Sequence, residues 1–458
     1  MHRLTLPELS NLETDGFTDE NDIFNYHEFG EGLVNMVSKI KGPLVITLDG
    51  PWGSGKSVFI KQWVGLIRKE YGESVVYFDA FANDFHSNAF LALASEIYSR
   101  ANKTIGKKDP SSKEFLEKAN KVVGVLASKG TDIALRLGTA GNVNLKDIED
   151  VVKALENESK KSISEQLQKA DEERASFKAF RDSLSSVSKS IAEKNQNAGQ
   201  SLPLIFIVDE LDRCRPPFAL EILERIKHLF SVENVCFVLV TNLAHLGTSV
   251  KKAYGMEIDD AHTYLEKFYH HRIMLPERSS DDQKQRDKYL PYLWKNLGFK
   301  FEDGRYGELV REEIRFLANA HELSLRQIER VMTNVVFAAA AANEKQFFIS
   351  PVVAGLCIMR QRHPDLYARA RQNILTLEDV HQFLKIDGDD YDSRESLAGG
   401  RKWALVWWRY FIDPELSTEI IDKLSSGGWY NLIGERLSLL PTLTNYIDHL
   451  PTSPSHSS

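Results

Sequence analysis

"ITLDGPWGSGKSVFI", residues 46–60, sets three glycines, a tryptophan and a lysine between two apolar runs. Gly50, Gly55, Lys56 and Ser57 satisfy G-x-x-x-x-G-K-[ST], a spacing that follows from the chemistry of holding a phosphate. Glycines accept positive φ and a close approach of backbone, so successive N–H groups can turn inward around an anion. A helix that begins there adds unpaired N–H groups and the positive end of its dipole. On composition alone, a chain this long has about a 1% chance of one accidental match. Here the match also lies between a strand pattern and a helix pattern, the context such a loop requires. The stretch therefore reads as a loop for a nucleoside triphosphate made by Gly50, Trp52, Gly53, Ser54, Gly55, Lys56, Ser57 and Val58. Lys56 would meet the β- and γ-phosphates, and Ser57 would ligate Mg²⁺.

Working outward, "GPLVITLD" is a continuous apolar run, the signature of a strand buried on both faces of a parallel sheet. "SVFIKQWVGLIRKEYG" follows with Val58, Phe59, Trp63, Leu66 and Ile67 at helical spacing and a stop at Gly72. "SVVYFDAF" is a second strand, which completes a βαβ unit. Residues 86–200 interrupt the alternation with helical, Lys-, Glu- and Ser-rich sequence; "KKSISEQLQKADEERASFKAF" within them suits a solvated helix or a partner-binding hairpin. "LPLIFIVDE", "FALEILERIKHLFS" and "NVCFVLVTN" then resume as strand, helix, strand. Beyond about residue 280 only helical patterns follow, among them a pair broken near His321 to Ser324.

The expected organisation is an α/β P-loop NTPase core of the ASCE/AAA-like kind, with a parallel sheet, a large helical insertion and a helical C-terminal region. Its parts would be a lead-in over 1–40, the core over 41–85 and 201–280, the insertion over 86–200, a helical lid over 281–385 and a C-terminal helical region with a disordered tail over 386–458. An insertion ahead of the Asp-Glu strand suggests the branch with an extra central strand, whose members commonly complete one subunit's site with a neighbour's Arg.

"LIFIVDELDRC" ends a strand on Asp209, which puts a carboxylate at the sheet's C-terminal edge, where ligands of such sheets bind. Asp209 would hold Mg²⁺, and Glu210 would orient and deprotonate the attacking water. The bland alternative is an acidic helix cap. "VCFVLVTN" ends on Thr241 and Asn242, which could bond the γ-phosphate or the lytic water; equally, Asn242 could cap the next helix.

Composition narrows the field. The 458 residues carry 57 basic and 65 acidic side chains, net −8, so the whole molecule is a poor generic partner for nucleic acid. Cys214, Cys236 and Cys357 form no CxxC pair, which fits a reducing cytoplasm. No secretory signal is expected. The most apolar stretch, residues 122–141, contains Lys129, Asp132 and Arg136 and reads as a buried or interfacial helix pair with no membrane span. The stripe of Trp403, Trp407, Tyr410 and Phe411 reads as core or protein interface before base-stacking platform.

Four separated blocks in order resemble the KAP family of P-loop NTPases: "GPWGSGKS", "VVYFDAFANDF", "IVDELDRCRP" and "YLEKFYHHRIMLP". The resemblance spans about residues 20–335, with a gap across the insertion. It implies an ATP/Mg²⁺ site and a helical lid. In many members, transmembrane helices stand where 86–200 stand here; this chain's insertion is charged instead. Bacterial relatives are linked to phage exclusion, often beside a partner effector protein, and self-association is a further expectation. The resemblance aligns Arg213 and Arg215 with the family's Arg position, able to touch phosphate in cis or in trans; the alternative is ion pairing with Glu221 or Glu224. Arg326 and Arg330, one helical turn apart, resemble a sensor 2 helix whose Arg reports loss of the γ-phosphate, or are solvated helix charge. His270 and His271 show no metal-ligand spacing.

The reading is a Mg²⁺-dependent ATPase that uses hydrolysis to switch conformation. Its rivals are a nucleic-acid-stimulated motor or clamp and an ATP-binding scaffold with little turnover.

Overall fold

The computed structural model describes residues 11–39, 42–86, 88–137, 163–195, 202–255, 257–276, 282–297, 304–341, 350–386, 399–415 and 439–448. They fall into two compact units that meet in sequence at Pro276 and Glu277.

The first unit is built on five parallel strands: β1 (Leu44–Asp49), β2 (Val75–Asp79), β3 (Leu204–Asp209), β4 (Val235–Thr241) and β5 (His271–Met274). Their order is β2-β3-β4-β1-β5. β4 thus lies between the P-loop strand β1 and the acidic strand β3, the extra central strand that the sequence predicts. Every residue of β1, β3 and β4 is buried, which is why those segments read as unbroken apolar runs. Register aligns the strand ends: Asp49 faces Thr241 and Asp79 faces Asp209. Four polar residues are therefore gathered at one edge of an otherwise apolar sheet.

Side chains alternate between the two faces. Ile46, Leu48, Ile205, Ile207, Val238 and Val240 meet α2 (His27–Lys39) and α3 (Lys56–Tyr71). Residues 11–39 of the expected lead-in pack here too. α1 (Leu12–Asp15) and the turn at Gly16 approach α3 so closely that a Cβ on Gly65 would lie 2.4 Å from the Gly16 nitrogen. Trp63 Nε1 donates to the Gly30 carbonyl at 3.0 Å. Gly72 ends α3 with φ 74, as expected, but Val58 is 40% exposed and lies off the buried stripe assigned to it.

The other face is covered by the insertion. α4 (Ala89–Thr104), α5 (Pro110–Leu137) and α6 (Ile163–Lys194) pack with Phe206 and Phe237 of the sheet into one apolar cluster. Phe180 is its hub, with ring centroids 5.0 Å from Phe90, 5.5 Å from Phe115 and 5.3 Å from Phe230. Within the stretch expected as a solvated helix or partner hairpin, residues 170–179 are indeed exposed or half-buried on α6, and only its last residue, Phe180, is buried in the cluster. The charges of α6 mask a buried stripe of Phe180, Leu184, Val187 and Ile191 at helical spacing, and that stripe decides where the helix goes. α5 runs unbroken to Leu137, where a helix pair was expected; the remainder of 122–141 lies outside the described residues. Among the described residues no helix is long and apolar enough to cross a membrane.

The described part of the second unit is helical. α7 (Pro216–Arg225), α8 (Leu243–Tyr254) and α9 (Ile258–Leu265) complete the first unit; α10 (Asp282–Asn296), α11 (Gly304–Ala320), α12 (Leu325–Ala341), α13 (Ser350–Arg362), α14 (Pro364–Arg371), α15 (Leu377–Leu384), α16 (Gly399–Ile412) and α17 (Leu439–Asp448) make the second. The break between α11 and α12 falls over 321–324, where the sequence places it. Trp407 and Phe411 are core, so that much of the aromatic stripe is structural. Trp408, outside the stripe, is fully buried against Gly355, where a Cβ would meet its ring at 2.5 Å. The Trp403 side chain and the expected disordered tail lie outside the described residues.

Candidate functional site at the C-terminal edge of the sheet

The turn from β1 to α3 needs its glycines. Gly53 (φ 83) and Gly55 (φ 88) hold left-handed backbone that a side chain would strain. Lys56, the first residue of α3, is buried and bends its ammonium back to the loop, donating to the carbonyls of Gly50 at 2.6 Å and Pro51 at 3.0 Å. Burial pushes its pKa down, and Asp212, Asp49 and Asp209 oppose that shift. A cation is thus held in a dry pocket among three carboxylates. Ser54 Oγ is buried with no hydrogen-bond partner. An orphaned hydroxyl in the loop's interior and a buried cation with Arg213 nearby suit a polyanion.

Asp209, at the tip of β3, is almost fully buried and accepts from the Glu210 N–H at 2.8 Å and the Tyr77 hydroxyl at 3.0 Å, with the Ser57 hydroxyl near enough to favour its charged form. Burial raises its pKa, and those donors counter the rise. Ser57 and Asp209 are hard oxygen donors side by side, a set that fits Mg²⁺. Among the described residues no group of three or more His, Cys, Asp or Glu could hold a metal by itself.

Glu210 is half-buried, with left-handed backbone at φ 58, and pairs with Arg213 at 2.8 Å. Arg215 clamps Asp84, with its Nε 2.7 Å from Oδ1 and its backbone N–H 2.8 Å from Oδ2. Both arginines are ion-paired, but not with the expected acids: Glu221 pairs with Arg225, and Glu224 accepts from the Tyr254 hydroxyl. The turn after β3 is short, so Arg213 reaches back one turn and Arg215 reaches the loop after β2.

At the tip of β4, Thr241 is buried and donates to Asp212 at 3.2 Å, so it is not free for a phosphate. Asn242 caps α8 by accepting from the His245 N–H at 3.2 Å, which leaves its side-chain amide N–H groups. Trp52 is 46% exposed; its indole N–H donates to Asp212 and its ring centroid lies 4.4 Å from that of His245. Asp212 therefore joins the P-loop, β4 and, through its own carbonyl 3.0 Å from His245 Nδ1, α8. The sequence quotes Asp212 within "DELDRC" without assigning it a role. Tyr77, Asp49 and Asp84 were missed likewise, because each acts on a partner far away in the chain.

His270 is structural: its Nδ1 accepts from the Val45 N–H at 2.9 Å, beside β1. Arg272 pairs with Asp49. Arg326 and Arg330 belong to the second unit, both exposed on α12.

The family profile described as "KAP family P-loop domain" matches residues 26–341. No curated protein matches the chain. Among solved structures, the one titled "Structure of the Aeropyrum Pernix ORC2 protein (ADPNP-ADP complexes)" is similar at 11% identity and a TM-score of 0.37, over 96% of this chain and 97% of that one. That likeness is too loose to bear on function.

Proposed function

The chain belongs to the KAP family of P-loop NTPases, and from that premise we propose that it is a Mg²⁺-dependent ATPase working as a nucleotide-driven switch or assembly module. The observation that supports this most is the meeting of Lys56, Ser57, Asp209 and Glu210 at one edge of the sheet. In this reading the N–H groups from Gly50 to Val58 wrap the phosphates, and Lys56 leaves its two loop carbonyls for the β- and γ-oxygens. Ser57 and Asp209 hold Mg²⁺, which when bound would neutralise charge across those phosphates. Glu210 is the general base; its raised pKa, from burial, suits a proton acceptor. Asn242 offers its amide N–H groups to the γ-phosphate or the water. Arg213 is the candidate arginine of this unit that responds to the γ-phosphate. The output we propose is self-association or engagement of an effector protein, as in anti-phage defence.

Calorimetry of ATP with Mg²⁺ tests the site. Wild-type chain should release binding heat and Lys56→Ala should not. Equal heats from both, or none from either ATP or GTP with the wild type, would sink the reading. Co-purification with and without ATP tests the output.

A further inference from the structure

No motif gives Tyr77 a role, yet it makes the one side-chain contact that reaches Asp209 from a neighbouring strand among the described residues. It is the central residue of β2 and lies opposite Ile207 of β3, two residues before Asp209. Its ring packs on the α3 face of the sheet, with Lys61 Nζ 5.5 Å from its centroid. From there its hydroxyl donates to Asp209 Oδ2 at 3.0 Å. Asp209 Oδ1 accepts from the Glu210 N–H at 2.8 Å. Each carboxylate oxygen is thus pinned by a different donor, one on the same turn and one across the sheet. Rotation about the Cβ–Cγ bond would break both.

We propose that Tyr77 is a positioning residue for the divalent cation of the nucleotide site, holding the Asp209 carboxylate in the one orientation that Ser57 and Asp209 can share with a metal–nucleotide complex. This rests on the reading of the P-loop as a Mg²⁺·ATP site. The ring is well packed without its hydroxyl, so Tyr77→Phe removes one donor and little volume. Hydrogen-bond partners of metal-ligating carboxylates are commonly worth about 10–100-fold in metal affinity.

The test is calorimetry of ATP into the full chain across a Mg²⁺ series that includes a chelated, metal-free arm. In Tyr77→Phe the Mg²⁺ concentration that gives half of the metal-dependent tightening should rise about tenfold. Metal-free ATP affinity should match the wild type, which also shows that the variant is folded. Superimposable Mg²⁺ series for variant and wild type would overturn the assignment. So would an equal loss in the metal-free arm, which would make Tyr77 a packing residue. A wild type that binds no ATP at any Mg²⁺ concentration would instead remove the site itself, and this assignment with it.

Discussion

Glu210 and Arg213 face each other across one short turn, 2.8 Å apart, with Glu210 held in left-handed backbone. A residue with a Cβ in that region costs on the order of 1 kcal/mol, so the surroundings must hold it there. Arg213 supplies one restraint, and it occupies the carboxylate that the proposed reaction needs. Glu210→Gln keeps the shape and loses the basicity. It should bind Mg²⁺·ATP within a few-fold of wild type, while single-turnover hydrolysis falls by about 10²–10⁴. Rapid quench measures this directly, and an unchanged rate would remove Glu210 as the base.

Trp52 gives the P-loop a reporter of its own. Its indole N–H and the Thr241 hydroxyl are the side-chain donors found on buried Asp212. A phosphate that draws Lys56 away from Gly50 and Pro51 must disturb the loop that carries Trp52. Intrinsic fluorescence should therefore change on addition of ATP, and Trp52→Phe should lose most of that change despite six remaining tryptophans. The same substitution takes a donor from a buried carboxylate and should lower unfolding free energy by about 1–3 kcal/mol. A full fluorescence response in the variant would refute the coupling.

The aromatic hub at Phe180 makes the insertion part of the nucleotide-binding unit. Phe180→Ala empties a fully buried site among Phe90, Phe115 and Phe230, a loss of about 3–5 kcal/mol. Phe206 and Phe237 of the sheet belong to the same cluster, so the site should weaken with it. Urea unfolding of the full chain with and without ATP checks this. The ATP-stabilised transition should move to lower urea in the variant; an unmoved midpoint would make the insertion an appendage.

What was legible in the sequence, and what was not, divides along physical lines. The strands, the P-loop and Asp209 are written in local pattern: apolar runs that only a doubly covered sheet accepts, and glycines at fixed offsets. The extra central strand followed too, from the insertion ahead of the Asp-Glu strand, but the full order of the five strands did not. The face that α6 buries was hidden by its charged surroundings, although Phe180, Leu184, Val187 and Ile191 carry the period. Pairings such as Asp84 with Arg215, Asp212 with Trp52 and Tyr77 with Asp209 join residues 131, 160 and 132 positions apart. No local spacing encodes such contacts; they exist only once the sheet has aligned its strand ends. Cap and sensor at Asn242 could not be told apart in sequence, since one amide can serve both.

The second unit contains a pH-dependent element, and its sign can be worked out. His321 is 8% exposed, and its Nε2 lies 2.9 Å from the Phe383 carbonyl. A carbonyl only accepts, so Nε2 carries the proton and Nδ1 must accept from His363 Nε2, 3.0 Å away. Protonating Nδ1 would set two donors against each other in a site closed by Phe383, whose ring stacks on His321 at 5.0 Å. Burial first, then His363, Lys385 and Arg362, push His321 down to about 4; burial pushes His363 down as well. The folded chain therefore binds fewer protons here than the unfolded chain. The stabilisation is complete above pH 6.5 and drains away as pH falls toward about 4, by roughly 3 kcal/mol in all. His321→Gln keeps a donor for the Phe383 carbonyl but cannot titrate. Denaturant unfolding at pH 7, 5.5 and 4.5, roughly spanning that window, should show a steeper loss of stability in the wild type than in the variant. Equal slopes would mean that the histidine pair is not what acid attacks.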